Sequence, residues 1–400
     1  MFSRHSVLQS TDILPVIFEH LDQADLARTL RVCRLWNQWS DVLWSSLPTL
    51  TPMLHLLFPF MFTDADDKYV RGVPLYQMDR QKLFKINRTV QHLDASLCSS
   101  KSLFEGYNPD IPRLLLDLCE PETALFPRLL SLKTDCRNDA EVLGVFPLLS
   151  PSLRSLEIVI HHSATDYMHE LLEGIQSNLK NLENLSISYC PAPTVTSGEH
   201  AVDHSAHREP DSYFYFPTIA PSLPRSLKTL RVPSVCASID SLFSISRLPL
   251  LESLAFTGKW EMDMHEEEWS EFEASSFPEL SRLLVSDCSI PAAIGILSVI
   301  PESTPLSEVD IGLFEMNAEF PELCTTLARF RSSIRSISIN QVGGDSSPIV
   351  VQEISEALTS CSKLERLTLN VPIKLSDVEF GALMDRLPRA CTVCIREHQI

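Results

Sequence analysis

From residue 129 onward, apolar side chains recur at the first, fourth and sixth positions of a short pattern whose other positions are mostly polar. The triplets are Leu129/Leu132/Thr134, Leu153/Leu156/Ile158, Leu182/Leu185/Ile187, Leu227/Leu230/Val232, Leu251/Leu254/Phe256, Leu280/Leu283/Val285, Leu306/Val309/Ile311, Ile334/Ile337/Ile339 and Leu364/Leu367/Leu369, with a weaker copy upstream at Val90/Leu93/Ala95. Successive side chains leave a strand on opposite faces, so this alternation predicts one short half-buried strand per copy. First positions lie 24, 29, 45, 24, 29, 26, 28 and 30 residues apart, and the value of 45 marks an insertion at residues 191–224. Some returning segments read as helices: Met168, Leu171, Leu172, Ile175 and Leu179 make one apolar stripe, and Ile354, Ala357, Leu358 and Cys361 another. Ser376 and Glu379 form a capping box ahead of Leu383 and Leu387. One copy cannot bury its strand face alone, so the copies are expected to stack into an α/β solenoid with a parallel sheet on its concave side.

The first fifty residues follow a different period. Between residues 12 and 47 the apolar positions fall at helical spacing in three groups separated by polar breaks. Pro15 suits a first helical position, where its missing N–H costs nothing, and Ile17, Phe18 and Leu21 follow. Asp22 can cap a second helix carrying Leu26, Leu30 and Val32, with Asp25 near its positive end. A third helix, about residues 34–42, carries Leu35, Trp36 and Trp39, and Trp44 lies just beyond. So short a unit cannot hide this many large side chains internally, so part of its apolar surface needs a partner.

In order and spacing, Leu14-Pro15, Ile17-Phe18, Leu21, Asp25-Leu26, Val32-Cys33-Arg34, Trp36 and Trp44 resemble the F-box. The segment departs from many members at Val16-Ile17, where an acidic residue commonly follows the proline. The resemblance implies docking onto the acidic adaptor of the SCF ubiquitin ligase, and through it onto a cullin. It also implies a contact set of Leu14, Pro15, Ile17, Phe18, Leu21, Leu26, Val32, Cys33, Trp36 and Trp44. Arg28, Arg31 and Arg34 are either a complement to that acidic surface or a solvated helix face. The alternative is a helical cap on the solenoid, its tryptophans ordinary core residues. The repeat period is close to that of leucine-rich repeats, roughly 20–29 residues. Cys190 and Cys288, at the ninth repeat position, resemble the cysteine-containing repeat class often fused to F-boxes. The expected organisation is an F-box at 8–47, a connection with irregular first repeats at 48–128, and a leucine-rich-repeat solenoid at 129–400.

Composition narrows the function classes. A chain of 400 residues with 44% hydrophobic and 21% charged content can bury a large core. A net charge of −19 argues against nucleic acid or an anionic membrane as partner. Residues 1–12 lack the apolar core of a signal peptide, and 47–62, broken by Pro48, Pro52 and Pro59, read as a buried connection and not a membrane span. Eleven cysteines scattered one at a time suit a reducing compartment, cytoplasm and/or nucleus, where the sequons at Asn87 and Asn184 carry no meaning. No phosphate loop, nucleophile elbow or paired-His zinc motif occurs, so no catalytic residue, cofactor or metal is expected. Scarce clustered basic residues argue against an inositol-phosphate cofactor as well. Cys391 and Cys394 lack a second pair and read as part of a last strand, while His200, His204 and His207 read as a solvated loop.

If the fourth and sixth positions point inward, the third, fifth and seventh look out. These outward positions are mainly small hydroxyls and amides with isolated charges, and the candidates for target contact among them are Lys133, Glu157, Arg231, Arg282, Glu308, Asp310, Arg366 and Asn370. The aromatic run Tyr213, Phe214, Tyr215 and Phe216 is either an anchor for the insertion or a binding hot spot. The acidic stretch 261–273, beside Trp260 and with Trp269 inside it, either receives a basic partner or is a solvated edge loop. Two readings of function remain: a non-catalytic subunit that recruits an unknown target protein to an SCF-type ligase, or an interaction scaffold without ubiquitin transfer.

Overall fold

The computed structural model describes residues 45–47, 50, 88–95, 124–161, 167–190, 223–233, 239–258, 276–314, 319–341, 349–350, 358–371, 373–374, 377–388 and 391–395. The expected three-helix unit, most of the 48–128 connection, nearly all of the 191–224 insertion, the 261–273 stretch, and Ile354, Ala357 and Ser376 lie outside them. Two compact units are present, the first comprising residues 1–182 and 190–192, the second 183–189 and 193–400.

The first unit begins with a two-residue strand, β1 (Ser46–Leu47), followed by β2 (His92–Asp94) and β3 (Ser131–Cys136). Helix α1 (Asp139–Val145) leads through a 3-10 turn into β4 (Ser155–His161), and α2 (Met168–Asn178) comes next. The strands pair in chain order and all in parallel, with Ser46 opposite His92, His92 opposite Ser131, and Ser131 opposite Ser155. Local chemistry starts α1 where the strand must end. The Asn138 side chain accepts from the Glu141 N–H at 3.0 Å, and the Glu141 carboxylate accepts from the Arg137 N–H at 2.9 Å. That reciprocal cap also provides a partner for Glu141, whose side chain is buried. On α2 the stripe Leu171, Leu172 and Ile175 is buried. A Cβ at Gly174 would lie 3.2 Å from Leu149 Cδ1, so the glycine allows the close packing of this helix on the segment after α1.

The second unit runs through β5 (Asn184–Cys190), whose last residue falls in the first, then β6 (Thr229–Pro233), α3 (Ile239–Ser246), β7 (Ser253–Thr257) and β8 (Arg282–Cys288). It continues with α4 (Ile290–Val299), β9 (Glu308–Leu313), α5 (Phe320–Ala328), β10 (Ser336–Gln341) and β11 (Ile349–Val350). It closes with β12 (Arg366–Asn370), β13 (Ile373–Lys374), α6 (Asp377–Arg386) and β14 (Thr392–Ile395). Strands β5 to β10, β12 and β14 pair in that order, all in parallel, while β11 pairs with β13 alone. Within each unit, parallel neighbours joined by returning segments make a solenoid-like α/β arrangement. Cys391 and Cys394 flank and enter the final strand, as their pattern predicts.

Every first, fourth and sixth position of the repeating pattern is buried, the most accessible being Ile187 at 4%. The weak upstream copy behaves likewise, with Val90, Leu93 and Ala95 buried around β2. Two further backbone devices repeat with it. The first-position N–H returns to a carbonyl three residues back in Leu129→Phe126, Leu153→Ser150, Leu227→Pro224, Leu251→Leu248, Leu280→Phe277 and Leu364→Cys361. Pro127, Pro151, Pro249 and Pro278 occupy the second residue of four of these turns, where a fixed φ near −65° suits the geometry. The second-position carbonyl then accepts two N–H groups from the next copy: Glu252 O takes Ser281 N at 2.9 Å and Arg282 N at 3.0 Å, and Ser307 O takes Arg335 N at 2.8 Å and Ser336 N at 2.9 Å. Both lone pairs of one carbonyl are thereby used at the start of these strands.

The regular ladder breaks at the end of β8, where the register with β9 shifts between Val285 and Cys288. Asp287 takes φ 54° there, a left-handed conformation that aspartate tolerates better than bulkier residues. Cys288, the ninth-position cysteine, is buried behind the bulge and donates its thiol to Gly312 O at 3.5 Å. Burial pushes the thiols of Cys288 and Cys324 up to about 12 and that of Cys136 well above its ordinary value. Alkylation at pH 8 followed by peptide mapping is therefore expected to modify the exposed Cys394 and to leave Cys136, Cys288 and Cys324 unmodified until denaturant is added.

Candidate protein-binding surface

Strand alternation fixes which side chains are available. Along β3, Leu132, Thr134 and Cys136 are buried while Ser131, Lys133 and Asp135 are partly exposed, and β10 and β12 repeat the alternation with Ser336, Ser338, Asn340 and with Arg366, Thr368, Asn370. These three strands each present a polar face.

In the first unit that face pairs its charges internally. Lys133 Nζ lies 2.9 Å from Glu157 Oε1 across neighbouring strands. This hydrogen bond, with the nearby Asp94 and Asp135 carboxylates adding to it, raises the Lys133 ammonium above its ordinary pKa against the opposing effect of partial burial. His161 Nε2 sits 3.9 Å from Asp135 Oδ2, and His92 Nδ1 is 2.8 Å from Ser131 Oγ.

In the second unit the charges converge. Arg282, Glu308, Ser336 and Arg366 stand opposite one another on successive strands β8, β9, β10 and β12. Arg282 Nε contacts Glu308 Oε2 at 3.2 Å, and Arg366 reaches past the small Ser336 to put Nη2 3.4 Å from Glu308 Oε1. One carboxylate therefore serves two guanidiniums, each more than 60% exposed. Bridges this exposed contribute about 0–1 kcal/mol apiece to stability, so the arrangement shapes the surface more than it holds the fold. One step further along the strands, Asn340 Nδ2 donates to Asp310 Oδ1 at 3.1 Å and to Ser338 Oγ at 2.9 Å. Arg231 is exposed on β6, and Asn370 is half-buried on β12.

The eight residues proposed for target contact thus all lie on outward strand positions, Lys133 and Glu157 in the first unit and the other six in the second. Three further outward residues are apolar, and a reading based on polarity misses them. Val159, at the seventh position on β4, and Leu284, at the fifth on β8, are partly exposed, while Ala255, at the fifth position on β7 opposite Arg231 on one side and Leu284 on the other, is buried at 9% exposure. Their signal in the sequence is an apolar residue at a position where the other copies carry Ser, Thr or a charge. Among the described residues no group of three or more side chains could hold a metal ion, and no helix is long and apolar enough to cross a membrane.

All ten residues proposed for adaptor contact, from Leu14 to Trp44, lie outside the described residues. The chain immediately after Trp44 is described: Ser45 O accepts the Gln91 N–H at 2.8 Å, and Leu47 is buried opposite Leu93 in the first strand pair. Residues 11–47 match the F-box-like family. The F-box-like segment accordingly ends inside the sheet of the first unit, with β1 as its last two residues. F-box domains serve protein–protein interaction, typically by joining an SCF adaptor. A search of curated proteins finds no match to the chain.

Proposed function

We propose that this chain is the target-recognition subunit of an SCF-type cullin-RING ubiquitin ligase, with the F-box-like segment on the adaptor and a leucine-rich-repeat face on the target. The observation that carries the reading is the F-box-like match at residues 11–47, which runs without interruption into the first strand of a parallel, polar-faced sheet. Holding a target lysine near a charged conjugating enzyme raises its effective concentration without acid–base work by this chain. The repeat period, the buried triplets and Cys288 behind the β8 bulge support the leucine-rich-repeat assignment.

On this reading Leu14, Pro15, Ile17, Phe18, Leu21, Leu26, Val32, Cys33, Trp36 and Trp44 cover the adaptor, and the arginine-bearing face of the second unit contributes to target binding. The chain itself is non-catalytic and works in the cytoplasm and/or nucleus. The test is co-expression with an SCF adaptor followed by affinity purification and size exclusion: the wild-type chain is expected to elute with the adaptor as one complex. Separate elution would remove the ligase and leave the scaffold reading.

A further inference from the structure

The outward face of the second unit is not uniformly polar. At its fifth repeat positions, Arg231, Ala255, Leu284 and Asp310 stand opposite one another on β6, β7, β8 and β9. At the neighbouring third positions, Arg282, Glu308 and Arg366 make the shared ion pair. A leucine at Leu284, partly exposed between Leu283 and Val285, which are both buried, has no role in the core on the far side of the sheet. It lies next to the nearly covered Ala255, with Asp310 opposite it on β9, Arg231 one strand beyond Ala255 and Arg282 two residues back on its own strand.

The charge around that spot runs against the rest of the chain. Arg231, Arg282 and Arg366 face two carboxylates, Glu308 and Asp310, in a protein whose net charge is −19. Glu308 is committed to two arginines and Asp310 accepts from Asn340, while Arg231 has no ion-pair partner among the described residues. An arginine without an ion-pair partner, two strands from a partly exposed leucine, favours a ligand carrying a carboxylate a short distance from an apolar side chain.

We propose that this face binds an extended segment of a target protein in which an acidic residue lies about three positions from a large apolar one, the carboxylate on Arg231 and the apolar side chain on Leu284 and Ala255. The spacing comes from geometry: two strand-to-strand steps are about 10 Å, close to three residues of extended polyproline II chain at roughly 3.1 Å each, whose three-residue period returns both side chains to the same face. The proposal rests on the target-binding reading of this face and names the class of target sequence.

The test is selection from a random twelve-residue peptide display library on the full chain held in its adaptor complex. Peptides enriched on the wild-type chain are expected to share an Asp or Glu about three residues from Leu, Ile, Met or Phe. Arg231→Ser with Leu284→Ser is expected to reduce recovery of that class at least tenfold, and Arg231→Glu to shift enrichment to basic peptides, while Arg225→Ser, in a turn away from the spot, leaves it unchanged. Circular dichroism and retained adaptor binding establish that each variant is folded. No shared motif, a basic motif on the wild type, or an unchanged motif on the variants would overturn the proposal. Failure of adaptor binding alone would sink the ligase assignment and not this one.

Discussion

Replacing Phe256 by alanine lowers the unfolding free energy by about 3–5 kcal/mol. Phe256 is fully buried at a sixth repeat position on β7, between Val232 on β6 and Val285 on β8, which stand opposite it. Removing the ring forfeits its transfer free energy and leaves a cavity that neighbouring β-branched side chains cannot fill without moving their strands. Each copy is stabilised through its interfaces with the copies beside it, so the damage spreads to both neighbours. The matching surface change, Ser253→Ala on the same strand but facing outward, is expected to stay within about 0.5 kcal/mol. Urea titration followed by circular dichroism checks the pair. Equal effects of the two substitutions would mean that the inward and outward faces have been assigned wrongly.

The second large effect concerns the adaptor. Replacing Leu14 and Pro15 together by alanine is expected to weaken adaptor binding by at least roughly 30-fold, since truncating a central hot spot costs about 2 kcal/mol or more. Both residues fall in the segment that matches the F-box-like family, and the pair begins the apolar set that a unit of this size cannot bury alone. Surface plasmon resonance with immobilised adaptor measures the loss. The same variant is expected to keep its peptide selectivity at Arg231 and Leu284, because these residues lie in the second unit.

Much of the strand framework is legible in the sequence because burial on one face imposes a strict period of two. The triplets from Leu129 to Leu369 identify the strands, and even the weak copy Val90/Leu93/Ala95 is buried as its spacing predicts. Other features escape this reading because other physics decides them. β1 is only two residues long and is specified by pairing with β2, 46 residues away, which no local pattern encodes. The bulge at Asp287 depends on one aspartate accepting φ 54°, a conformation its residue type permits but does not demand. The repeated turns before each strand are written openly in Phe126-Pro127, Ser150-Pro151, Leu248-Pro249 and Phe277-Pro278, yet prolines at an irregular spacing do not stand out beside the leucines. At the surface, polarity identifies Arg282, Glu308 and Arg366 individually, but their shared ion pair requires the register of β8, β9, β10 and β12. Leu284 is legible by its position and hidden by its chemistry, because an apolar residue among strands is ordinarily assigned to the core.

On the proposed function, two separable surfaces of one chain join a ligase to a target. Quantitative mass spectrometry of proteins captured by the full chain under proteasome inhibition tests it, comparing the wild type with Leu14→Ala/Pro15→Ala and with Arg231→Ser/Leu284→Ser. The first variant is expected to lose the adaptor and cullin and retain its targets, and the second to retain adaptor and cullin and lose those targets. Loss of the same partners from both variants, or of none from either, would contradict it.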